Sequence, residues 1–137
     1  MKEDTFFLEI VIPDGKFFAD DVEMLIVDTP EGEMGVLCNH MPLVTAVSIG
    51  AIRIKKNGGW RDAFLSEGFM EIRQNKAIIV ADTAEWPEEI DANRAKAAEE
   101  RALERLQHHL SHVEYMRTQA ALQRSLSRLR VKGSALR

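Results

Sequence analysis

The chain of 137 residues contains a single cysteine, Cys38, which excludes an internal disulfide and a cysteine-rich zinc site. That scarcity also suits a reducing compartment. No apolar run approaches the ~18 residues of a membrane span, and Met1-Lys-Glu-Asp-Thr5 lacks a signal or transit pattern, so a cytoplasmic protein is expected. Basic charge is lacking too: the formal net charge is −4, which argues against a general nucleic-acid binder. No GxxxxGK[ST] phosphate loop, GxSxG elbow or HExxH metal motif is present. Glycine and proline are both missing from one long stretch, between Glu88 and Arg130. Against these absences stand 45% apolar and 29% charged residues, the composition of an ordinary soluble globular protein.

The charge divides the chain. Residues 1–84 carry a net −6, residues 85–104 a net −4 and residues 105–137 a net +6. An acidic segment followed by a basic one suits a helical hairpin with complementary legs. The first 84 residues read as strands. Phe6, Leu8, Ile10 and Ile12 alternate with Phe7, Glu9 and Val11 until Pro13-Asp14-Gly15 breaks the run. Val22 to Val27 predicts a further strand, ended by a turn at Asp28 to Gly32. Ile52 and Ile54 alternate with Arg53 and Lys55, and Asn57-Gly58-Gly59 signals a hairpin because these residues tolerate positive φ. Trp60–Leu65, Phe69–Ile72 and Ala77–Val80 extend the series. Short strands at this spacing predict an antiparallel β-sandwich or flattened barrel over residues 1–84.

Residues 85–137 predict two helices. Pro87 suits a first helical turn, and Ala95, Ala98, Ala102, Leu106 and Leu110 form one face at spacings of three and four. Ser111-His-Val-Glu114 has capping-box spacing, so a second helix should start near His112. Its inner face is expected to hold Val113, Met116, Ala120 and Leu129, and Gly133 should end it. A seam made largely of alanine buries little apolar area, so this hairpin needs a surface to dock on and suits a mobile element.

Several clusters invite chemistry. His108 and His112 are four apart, but the cap at Ser111 breaks the helix between them and no acidic or cysteine ligand completes a metal site. Cys38 and His40 share one loop, without the orienting third group that a Cys–His nucleophile needs. Adjacent acidic pairs, Asp20-Asp21 and Glu88-Glu89, read as a turn and a helix-dipole complement. The arginines carry more. Asp91 and Arg94 are three apart, Arg94 and Arg101 lie two turns apart on one side, and Arg124 and Arg128 are four apart. In an antiparallel hairpin the end of the second helix returns beside the start of the first. Asp91, Arg94, Arg124 and Arg128 then converge either as a solvated salt-bridge face or as guanidinium forks for phosphate oxygens.

The chain resembles, along almost its whole length, the epsilon subunit of the rotary F-type ATP synthase. The resemblance rests on Phe7-Leu-Glu-Ile-Val-Ile-Pro13, on Glu31-Gly-Glu-Met-Gly-Val-Leu-Cys-Asn-His-Met-Pro-Leu43, and on Gly50-Ala-Ile-Arg-Ile54. It continues through Glu67-Gly-Phe-Met-Glu-Ile72, Ala81-Asp-Thr-Ala-Glu85 and Ile90-Asp-Ala-Asn-Arg-Ala95. Cys38-Asn39 departs from the family's usual Pro-Gly, although asparagine also tolerates a left-handed turn. Glu67-Gly68 stands where Gly-Gly is common.

The resemblance implies a sandwich of about ten strands followed by a two-helix antiparallel hairpin. It implies a non-catalytic central-rotor subunit held against the gamma subunit and the c-subunit ring, with Glu33 and His40 as candidate ring contacts. It also implies a brake. Extended, the hairpin enters the alpha/beta catalytic head and opposes ATP hydrolysis; folded on the sandwich, it permits rotation. The Ile90–Ala95 element is similar to one associated with ATP binding, which carries Glu85, Ile90, Asp91, Arg94, Arg101, Arg124 and Arg128 over as a nucleotide site. No required cofactor is implied; ATP is a regulatory ligand, with or without magnesium. The implied setting is peripheral, at the cytoplasmic face of a bacterial plasma membrane, with no direct insertion; a chloroplast thylakoid stays open. Two other readings compete: a free-standing nucleotide sensor, which would not co-purify with gamma, and a small enzyme using Cys38 and His40.

Overall fold

Alternating apolar side chains in the first half build ten strands, and the computed structural model describes residues 4–134. The strands are β1 (Phe6–Ile12), β2 (Gly15–Val22), β3 (Met24–Thr29), β4 (Gly32–Leu37) and β5 (Leu43–Val47), then β6 (Gly50–Lys56), β7 (Gly59–Leu65), β8 (Gly68–Arg73), β9 (Lys76–Ala81) and β10 (Ala84–Glu85). They form two five-stranded sheets, ordered β2-β1-β9-β8-β5 and β10-β7-β6-β3-β4. The inner faces enclose one core, with Leu8, Ile10, Leu25, Ile52, Met70 and Ile79 fully buried. This is the expected sandwich, with one difference: β1 and β9 pair in parallel.

A second difference lies at Glu23. The sequence predicts one strand through Val22–Val27, but β2 ends at Val22 in one sheet and β3 starts at Met24 in the other. Val22 and Leu25 both point inward because the corner at Glu23 resets the alternation. The Asn57-Gly58 turn forms as predicted, with φ of 52° and 80°. Asn39 also sits left-handed at φ 65°, so asparagine does serve that turn. Gly68 is required for a different reason. A Cβ there would collide with the carbonyl of Val80 across the β8–β9 pair, so the backbones could not keep their separation. Gly68→Ala should therefore destabilise the sandwich by about 1–3 kcal/mol, read as a lower denaturant midpoint at unchanged slope.

After β10 the chain makes a single 3-10 turn (Pro87–Glu89) and then helices α1 (Ala92–Arg105) and α2 (His112–Ser134). Pro87 opens this short turn rather than α1 itself, because Asp91 supplies the α1 cap. The capping box at α2 forms fully: Glu114 N–H donates to Ser111 Oγ at 3.1 Å, and Ser111 N–H donates to Glu114 Oε1 at 3.3 Å. Hydrogen bonding from Ser111 holds the Glu114 carboxyl below its ordinary value.

The inner face of α2 differs from the sequence expectation. Val113 and Met116 are exposed, Ala120 and Leu129 are half-buried, and the buried positions are Thr118, Ser125, Ser127 and Val131. The helix also continues past Gly133 to Ser134. The hairpin lies folded on the sandwich. α2 packs along α1 and across β6 and β7, where Val131 meets Phe64, Ile90, Ile49 and Ala51 in a small second core.

Candidate functional site

The hairpin leaves the sandwich through a fixed point. Trp86 stacks on Phe17 with ring centroids 4.5 Å apart and meets Phe18 edge-on at 6.0 Å. The Arg61 guanidinium lies 3.4 Å over the other side of the indole and also pairs with Glu88 at 3.3 Å. From this anchor the 3-10 turn delivers three residues to one side. Glu89 folds back so that its Oε1 accepts from Trp86 N–H at 2.9 Å, Ile90 is buried, and Asp91 Oδ1 accepts from Arg94 N–H at 3.1 Å to cap α1.

Docking brings α2 over this corner. Arg128 lies with its guanidinium 4.5 Å from the Phe64 ring centre, and its Nε donates to Glu85 Oε1 at 2.6 Å. The side chains of the pair are 29% and 28% exposed, so the ion pair is half-desolvated and strengthened accordingly. Further along, Lys132 Nζ donates to the Pro87 carbonyl at 2.9 Å, tying the end of α2 to the 3-10 turn.

Between these elements lies a cavity of about 340 Å³ lined by Glu85, Glu89, Ile90, Asp91, Arg94, Ala95, Ala98, Arg101 and Arg128. That size falls at the lower end of small-molecule pockets. Six of the residues singled out from the sequence, Glu85, Ile90, Asp91, Arg94, Arg101 and Arg128, therefore meet around one space. Arg124 does not line it. Its Nη1 lies 4.0 Å from Glu67 Oε1, on the loop between β7 and β8. Three wall residues, Glu89, Ala95 and Ala98, were not among the site residues read from the sequence. Glu89 sits three residues after Trp86, a spacing that signals its backbone bond, and Ala98 reads as seam from its helical face alone. The cavity presents three guanidinium groups from α1 and α2, with carboxylates at its 3-10 edge. The carboxylates of Glu85, Glu89 and Asp91 balance these charges, and Glu85 holds Arg128.

The other candidates fare differently. The register Met24↔Leu37 and Thr29↔Gly32 places the two ends of β4 at opposite ends of the sandwich. Glu33 lies near one end, beside the β3–β4 turn, while His40 lies in the loop beyond the other. His40 Nδ1 is 2.8 Å from the Met41 carbonyl, and Cys38 Sγ accepts from Asn39 Nδ2 at 3.9 Å. The two do not form a nucleophile pair. His108 and His109 fall in the bend between the helices, and no group of three His, Cys, Asp or Glu among the described residues could hold a metal ion.

A surface the sequence reading missed crosses the outer face of the first sheet. Val11, Val80, Phe69 and Ala46 are cross-strand neighbours on β1, β9, β8 and β5. Val80 is 54% exposed, Phe69 65% and nearby Val44 69%. The signal was present in β9, where Ala77-Ile-Ile-Val80 is apolar on both parities, the pattern of a strand covered on both faces.

Comparison with known proteins agrees with this layout. The family described as ATP synthase, Delta/Epsilon chain, beta-sandwich domain matches residues 5–87, and the corresponding long alpha-helix domain matches residues 88–133. The ATP synthase epsilon chain of Ruminiclostridium cellulolyticum is 54% identical over 125 residues, covering 91% of this chain and 93% of that one. The epsilon chain of Caldicellulosiruptor saccharolyticus is 49% identical over 126 residues, covering 92% of each. Among solved structures, a chain of the Euglena gracilis mitochondrial ATP synthase superposes with a TM-score of 0.80 at 23% identity, over 97% of this chain and 82% of that one, and so shares its fold. With both halves matched by one family and most of its length shared with epsilon chains at about half identity, this chain belongs to the ATP synthase delta/epsilon family, among the epsilon chains.

Proposed function

We propose that this chain is a non-catalytic central-rotor subunit that couples gamma to the c ring, and that its hairpin is an ATP-sensitive brake on hydrolysis. The observation that carries the reading is the construction of the cavity across the docking seam. Glu85 comes from the sandwich edge, Arg94 and Arg101 from α1, and Arg128 from α2. A ligand filling that space binds only the docked hairpin and so holds it down. ATP matches the three guanidinium groups, and any magnesium arrives with the nucleotide, since Glu85, Glu89 and Asp91 are already engaged by Arg128, Trp86 N–H and Arg94 N–H.

The direction of β10 supports one orientation within the assembly. Its pairing Ala84↔Leu65 and Glu85↔Phe64 runs it back along β7 toward the Asn57-Gly58 end, so the hairpin departs from that end. If the extended hairpin reaches the alpha/beta head, the c ring faces the opposite end, where Glu33 and the turns at Asp14 and Glu31 lie. Glu33 is thus the ring contact in this reading, and His40 faces away from the ring. The exposed row of Val80, Phe69 and Val44 supplies an apolar docking face for gamma. No helix of the described residues is long and apolar enough to cross a membrane, in keeping with a peripheral place at the cytoplasmic face.

Residues 1–84 serve assembly and residues 85–137 regulation. A chain ending after Glu89 keeps Trp86 in its aromatic clamp, so it should fold, bind gamma and support coupled synthesis. The assembled enzyme should hydrolyse ATP faster than one carrying the full chain. Loss of gamma binding would overturn the division of labour; hydrolysis unchanged by truncation would overturn the brake.

A further inference from the structure

Of the asparagines in the chain, only Asn57 precedes a glycine, and Asn-Gly is the dipeptide most open to loss of the side-chain amide because glycine does not shield its own nitrogen. Asn57 and Gly58 are exposed, so water reaches them. The Gly58 N–H is nonetheless occupied. It donates to Glu23 Oε1 at 2.7 Å, across from the corner between β2 and β3. In a two-residue turn of this type that N–H is not used by the Lys56–Gly59 pairing and would otherwise face solvent. Both turn residues are also left-handed, at φ 52° and 80°, a geometry kept by the flanking β6–β7 ladder.

We propose that Asn57 is the chain's deamidation site and that Glu23 guards it by engaging the attacking nitrogen. In the reaction Gly58 N bonds to Asn57 Cγ as the Cγ–Nδ2 bond breaks, and ammonia departs with the proton that Gly58 N loses. Water then opens the resulting ring at either carbonyl, giving aspartate or isoaspartate, with no change of oxidation state. Either product matters to this fold. Aspartate adds a carboxylate beside Glu23, Asp20 and Asp21, where Lys56 pairs with Asp20. Isoaspartate lengthens the backbone inside a two-residue turn and shifts the register of β6 and β7, the strands on which α2 docks.

The test is to age the full purified chain at mildly alkaline pH and follow residue 57 by peptide mass and isoaspartate labelling. Glu23→Ala should convert roughly tenfold faster than the parent, the effect of losing one charge-assisted hydrogen bond. Glu23→Gln keeps an acceptor oxygen without the charge and should convert at a rate between those of the parent and Glu23→Ala. In denaturant, parent and Glu23→Ala should convert at the same rate, which separates the guard from any effect on local sequence. The proposal is overturned if Glu23→Ala is no faster than the parent in the folded chain, if Glu23→Gln is slower than the parent, as a proton-accepting role would make it, or if Asn39, Asn75 or Asn93 converts before Asn57.

Discussion

Replacing Arg128 with alanine should weaken ATP binding by about 10- to 150-fold, the worth of a charge-assisted contact to phosphate. Arg124→Ala should leave affinity within about fivefold. The difference follows from where each guanidinium sits. Arg128 lies over the Phe64 ring, is paired with Glu85, half-shielded from water and on the cavity wall, so its orientation is set before a ligand arrives. Arg124 lies outside that wall and its partner is Glu67, which is 56% exposed. Loss of such a solvated pair acts only through slightly weaker docking. Glu85→Gln gives the opposite sign: it removes the carboxylate that competes for Arg128 and should strengthen polyphosphate binding while loosening the empty hairpin. Isothermal titration of the three variants and the parent checks all of this. Equal losses at Arg124 and Arg128 would place the phosphates nearer the Glu67 loop than the cavity allows.

The sequence exposed what depends on local rules. The alternation of Phe6, Leu8 and Ile10, the Asn57-Gly58 turn and the Ser111–Glu114 box each resolve within a few residues, and each forms as expected. What it hid depends on packing between distant segments. The strand break at Glu23 arises because the chain changes sheets there, and no nearby residue type announces it. The inner face of α2 was assigned to Val113 and Met116 because apolar residues are the usual guide to burial. The helix instead turns Thr118, Ser125, Ser127 and Val131 inward, where α2 packs along α1 and across β6 and β7. Most of the candidate site was legible because Ile90–Ala95 and Arg128 are tied to chain order in a hairpin. Arg124 was not, because its partner Glu67 belongs to a loop whose position only the sandwich decides.

Ser127→Ala should stabilise the docked hairpin by about 1–3 kcal/mol, shifting the balance of docked and released states roughly 5- to 150-fold. The Ser127 side chain is fully buried and its Oγ has no hydrogen-bond partner, whereas Thr118 and Ser125 bond back to the Glu114 and Ala121 carbonyls at 2.7 and 3.0 Å. In the proposed switch, an unmet hydroxyl costs its desolvation when α2 docks and recovers water when it leaves. Alanine removes that cost with almost no change of shape. The effect rivals that of the ligand: a nucleotide at a hundredfold excess over its Kd contributes ~2.7 kcal/mol to the state it binds. A hairpin already held by alanine at 127 should therefore stay down when ATP falls, and the assembled enzyme should lose its inhibition at low ATP. Leucine at the same position overfills the seam and should act in reverse, releasing the hairpin and deepening inhibition. Distances between labels on the sandwich and at Gln123, measured in the assembled enzyme as ATP is lowered, should show alanine delaying the opening and leucine advancing it. If both variants open at the parent's ATP concentration, the unpaired hydroxyl has no part in setting the switch.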